Sequence, residues 1–133
     1  MAAGEVVVSS RPYQYVVLRC VPRVDREEFV NVGIVLYCEE AGFLDVAWHC
    51  EASRLHALDS AVDVEAVCDA LTFADWVCAG DERAGEAGRV PLGQRFGFLR
   101  APRSTVVQPG PVHGGLTDDP AAELLGLLDR LVR

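Results

Sequence analysis

The sequence predicts an α+β fold: a single two-layer domain in which an antiparallel β-meander of three to five strands is packed on one face by two main helices. Three observations predict it. Apolar runs rich in β-branched and aromatic residues recur at Tyr13–Val21, Phe29–Tyr37 and Phe43–Cys50, joined by short polar segments. Two later stretches instead space their apolar residues as a helix does, each behind a capping residue. The chain has 133 residues, enough for one hydrophobic core but not for two of ordinary size.

Residues 1–10 read as a lead-in, with Val6 to Val8 able to add a short edge strand. "YQYVVLRCV" is the first strand, with Val16, Leu18 and Cys20 on one face and Tyr13, Tyr15, Val17 and Arg19 on the other. "PRVDREE" ends it, because Pro22 cannot donate to a ladder and the charges belong in solvent. "EFVNVGIVLY" follows, then "CEEAG", then "FLDVAWHC". "ASRLHALD" predicts a short helix. A longer one, capped by Ser60 or Asp63, runs to about Ala79 with Gly80 as its stop, and Val64, Val67, Cys68, Leu71, Ala74 and Cys78 form its stripe. Residues 80–93 read as a surface loop. "QRFGFLR" and "STVVQ" read as extended, and "PGPVHGGLTDDP" as an irregular connection. Asp119 before Pro120 starts a last helix whose buried face is Leu124, Leu127, Leu128 and Leu131.

The second strand carries two misfits, an amide at Asn31 and a glycine at Gly33. Pairing Val21 with Phe29 sets Arg19 opposite Asn31 and Val17 opposite Gly33. Pairing Tyr37 with Phe43 keeps Asp45 and His49 off the apolar side, which avoids burying an unpaired carboxylate. These registers align Arg19, Asn31 and His49 in a polar row over a trough of Val17, Gly33 and Ala47. A guanidinium, an amide and an imidazole in that arrangement would grip a carboxylate, a phosphate or a partner's backbone. The plainer account is a solvated sheet face, with Gly33 marking a bulge and Asn31 satisfying a backbone laid across the sheet.

Net charge is −8, which disfavours attraction to nucleic acid phosphates and anionic lipid. Its distribution is uneven. No acid lies between Glu86 and Asp118, where Arg89, Arg95, Arg100 and Arg103 supply +4. Ser104, Thr105 and the "VHGG" segment with His113 stand near these arginines, so the segment is a second candidate anion-facing surface. Folded over the Arg19 face, it would complete one pocket. All twelve basic residues are arginine, a bias that GC-rich codon usage explains without function.

Five cysteines, an odd number set within apolar runs, read as reduced thiols of a cytoplasmic protein. No apolar run reaches the roughly 18 residues a membrane span needs, and the N-terminal residues lack the pattern of an export signal. No cofactor is expected, and the scattered histidines argue against a metal site. "HGG" is similar to the oxyanion loop of some esterases, but no GxSxG elbow accompanies it, and P-loop, dinucleotide and HExxH patterns are missing too.

"YQYVVLRCVPRVDREEFVNVGIVLYC", "RAPRSTVVQPGPVHGG" and "DDPAAELLGLLDRLV" resemble the bacterial domain-of-unknown-function 3037 family over nearly the whole chain. The most specific element ends in Glu28, Phe29, Asn31 and Gly33. The resemblance implies no catalytic residues. It does imply a HipA-like kinase as partner, since genes of the family are often found beside one for such a kinase. The expectation is therefore a noncatalytic binding or regulatory module that recognises a protein partner or an anionic group. Arg19, Asn31, Gly33 and His49 stand at its centre, with Arg95, Arg100, Arg103 and His113 around them. The alternatives are an enzyme on a phosphorylated or nucleotide-like small molecule, with His49 or His113 as acid or base, and a homodimer joined through the sheet face.

Overall fold

The computed structural model describes residues 10–103 and 105–133. The expected strand at Val6 to Val8 and the hydroxyl of Ser104 therefore lie outside the described residues. Among the described residues five antiparallel strands form one open sheet: β1 (Arg11–Cys20), β2 (Val30–Cys38), β3 (Phe43–Trp48), β4 (Val107–Pro109) and β5 (His113–Thr117). The order is β3-β2-β1-β4, with β5 also pairing with β1. The first three strands are the expected meander, and β4 and β5 together line the far edge of β1. Helices α1 (Ala52–Leu58), α2 (Val64–Ala79), α3 (Glu86–Arg89), α4 (Leu92–Leu99) and α5 (Pro120–Leu131) complete the fold.

The α+β class and the antiparallel sheet are as the sequence predicts, but the layering is not. Helices lie on both faces, so the sheet is sandwiched. On one side Val16, Leu18, Cys20, Val35 and Val46 pack with Val67, Leu71 and Phe96 of α2 and α4. On the other, Tyr13, Ile34, Leu36 and Cys38 pack with Leu124, Leu127 and Leu128 of α5. β2 is buried on both faces, which is why its sequence is nearly continuous in apolar residues.

Sandwiching also removes the premise used to choose the β2–β3 register. Tyr37 pairs with Leu44 and Leu36 with Asp45, one residue away from the expected alignment. Asp45 tolerates this because β3 is an edge strand. Its side chain remains exposed and accepts a hydrogen bond from the Val46 amide at 2.9 Å.

Asp63 caps α2 by accepting from the Ala66 amide, and Gly80 closes it in the left-handed conformation (φ 68°). Asp119 caps α5 in the same way, ahead of Pro120. Three segments differ from expectation. "QRFGFLR" is helical within α4, where Phe96 and Leu99 are buried one turn apart and Phe96 stacks on Tyr37 at 5.3 Å. Within the supposed irregular connection, His113–Thr117 is strand β5. The 80–93 segment contains a 3-10 turn at Glu82–Ala84, all of α3 and the start of α4, with Ala84 buried.

Candidate functional site

Arg19 stands opposite Asn31, as expected, but the ladder shifts register between Leu18 and Arg19, so Leu18 rather than Val17 faces Gly33. The shift is a bulge in β2, and it reverses which face the residues after Asn31 present. Asn31 lies on the α5 side. Gly33 turns toward α2, where an added Cβ would sit 3.1 Å from the Ala47 carbonyl oxygen and 3.5 Å from Leu71 Cδ2. Gly33 is thus a packing residue, not the floor of a ligand trough. The trough itself is not formed, because Val17 and Ala47 pack with the α5 cluster instead.

His49 also leaves the row. Its amide donates to the Val32 carbonyl at 2.9 Å, and its Nε2 lies 3.5 Å from the Glu51 carboxylate. The place beyond Arg19 is taken by Gln108 of β4, which pairs with Arg19 on the opposite side from Asn31. The polar row is therefore Gln108, Arg19 and Asn31. The "STVVQ" run carried this signal, since its alternation with Val107 puts Gln108 on the face opposite that of Val107.

Arg19 is the distinctive member. Its guanidinium carbon lies 4.1 Å above the centre of the half-exposed Phe29 ring, and Gly110 makes room on another side, where a Cβ would come within 2.9 Å. Asn31 donates its Nδ2 to the Leu131 carbonyl at 2.9 Å, and Arg54 donates to the Val132 carbonyl at 2.6 Å, so both cap the end of α5. The Arg19 Nε and the Asn31 Oδ1 are buried without hydrogen-bond partners among the described residues. Gln108 donates to the Thr105 carbonyl at 3.1 Å.

The other predicted site residues scatter. Arg95 donates to the Cys78 and Val90 carbonyls at 2.9 Å, which neutralises the carbonyl end of α2. Arg100 is exposed. His113 is exposed on β5 and stacks on Tyr15 at 5.2 Å. Arg103 joins none of them. It lies on the α2 side of the sheet, its guanidinium 3.9 Å above the Phe98 ring, with one N–H donated to the Phe98 carbonyl at 2.6 Å. Burial lowers its pKa from the ordinary arginine value. The single pocket expected from the sheet face and the arginine segment is thus two separate places.

Among the described residues no group of three His, Cys, Asp or Glu side chains could hold a metal ion. No described helix is long and apolar enough to cross a membrane.

The family described as "Protein of unknown function (DUF3037)" matches residues 15–132, which include every strand and helix except the first four residues of β1. The chain belongs to that family. The match takes in Gln108, Arg19 and Asn31 along with both main helices. Among curated proteins and among solved structures nothing matches.

Proposed function

We propose that this family member is a noncatalytic binding module that recognises an anionic group on a protein partner through Arg19, with Asn31 and Gln108 beside it. One observation carries the reading. Of the twelve arginines, six form ion pairs and four others donate to backbone carbonyls; among the described residues only Arg19 and Arg100 do neither, and Arg100 is exposed. A half-buried guanidinium that pairs with no carboxylate among the described residues, held flat on an aromatic ring, is prepared for a carboxylate or phosphate from elsewhere. Its neighbours add amide groups that select orientation.

The reading takes the cytoplasm as the compartment, in keeping with five free thiols. A HipA-like kinase, which the family resemblance implies, is the first partner to try. His49 and His113 sit on opposite edges of the sheet order, which supports binding over acid–base catalysis.

The test is a pull-down from the native host with the wild-type chain and Arg19→Gln, read by mass spectrometry. Arg19→Gln keeps the length and an amide but removes the charge. The reading expects a partner that wild type retains and Arg19→Gln loses at least tenfold, with an unchanged circular dichroism spectrum. A partner held equally by both proteins, or no partner at all, overturns it.

A further inference from the structure

On the opposite face of the same two strands, Leu18 of β1 and Pro109 of β4 form the floor of a groove of about 320 Å³. Ala70, Phe73 and Ala74 of α2 and Leu99 of α4 make its walls. The walls are open because alanines stand where α2 passes the sheet edge. Such a volume is at the lower end of the range for small-molecule sites, and the surroundings are mostly apolar with few polar groups, as such sites commonly are.

The polar side chains of the lining are Arg103 and Thr105. Arg103 is fixed by its stacking on Phe98, which meets Phe73 edge-on at 6.2 Å. One guanidinium N–H is taken by the Phe98 carbonyl, and no carboxylate among the described residues pairs with Arg103. The Thr105 hydroxyl donates its proton to the Val107 carbonyl at 2.7 Å, so it offers a ligand only lone pairs. The groove thus presents one fixed cation in a mostly apolar lining.

We propose that this groove binds a small amphipathic monocarboxylate, with its acyl or aryl body against Ala70, Phe73 and Leu99 and its carboxylate on Arg103. Charge complementarity selects the anion. A single lining cation on a chain of net charge −8 favours a monoanion over a phosphate dianion. A free acid as small as acetate would leave most of the 320 Å³ unfilled. This site is independent of the Arg19 row, since the two use opposite faces of β1 and β4.

Titration calorimetry on the full chain tests it, with 4-phenylbutyrate as probe and the uncharged 4-phenylbutanol as its control. The acid is expected to bind at least tenfold more tightly than the alcohol, because a hydrogen bond to a charged group is worth about that much. Arg103→Gln is expected to erase the difference. Ala70→Leu, which fills the slot, is expected to weaken the acid at least tenfold with the circular dichroism spectrum unchanged. Arg19→Gln is expected to leave both affinities as they were. Equal affinity for acid and alcohol overturns the proposal without any variant. So does an Arg103→Gln protein that keeps the preference, or a wild type that does not bind the acid at millimolar concentration. A wild-type dimer in sedimentation that Ala70→Leu dissociates also overturns it, since the occupant is then a second copy of the chain.

Discussion

Gly33 lacks a side chain for a reason that lies entirely inside the fold. Its Cα faces the Ala47 carbonyl oxygen and Trp48 Cβ, each 3.1 Å from where a methyl would stand, and neither atom is the loose end of a flexible chain. Gly33→Ala is therefore expected to lose about 1–3 kcal/mol, seen as a lower urea midpoint with an unchanged slope. A ligand-floor glycine would tolerate the same change without loss of stability. The neighbouring Asn31 was legible as a misfit in an apolar strand, and its pairing with Arg19 followed from the hairpin. Its partner, the Leu131 carbonyl, was not legible. A contact across 100 positions of sequence depends on where α5 docks, and no local pattern encodes that.

The two long helices were the most readable elements because their ends are written in local chemistry. Asp63, Gly80, Asp119 and Pro120 each satisfy or remove a backbone group that a helix terminus leaves unpaired. Asp119→Ala removes the acceptor for the Ala122 amide and is expected to cost about 1 kcal/mol, measured as a reduced free energy of urea unfolding with the far-ultraviolet spectrum retained. α4 was misread since Phe96, Gly97 and Phe98 imitate the alternation of a strand. What makes it a helix is tertiary: Phe96 and Leu99 bury against the α2-side core. β5 was missed for the converse reason. "HGGLT" has poor strand propensity, yet where it pairs with β1 the Tyr13 ring leaves little room at Gly115, as a Cβ there would come 2.7 Å from the Tyr13 hydroxyl.

At the scale of the molecule, one sheet serves two cores, and β2 joins them through Val35 on one face and Ile34 and Leu36 on the other, all fully buried. Leu71→Ala and Leu127→Ala remove side chains from opposite cores. Each is expected to cost about 2–5 kcal/mol, and fluorescence and circular dichroism should report the same single unfolding transition for both variants. Separate transitions would mean that the layers unfold independently. The sequence by itself determined what depends on near neighbours: three meander strands, two capped helices, the Arg19–Asn31 pairing and the family. Only the tertiary structure decided which faces are covered, because alternation says which residues share a side but not what lies over that side. A one-residue bulge at Val32 then reversed the alternation midway along β2, parting Gly33 from Asn31, while the sheet order brought Gln108 to Arg19 and left Arg103 on the other face.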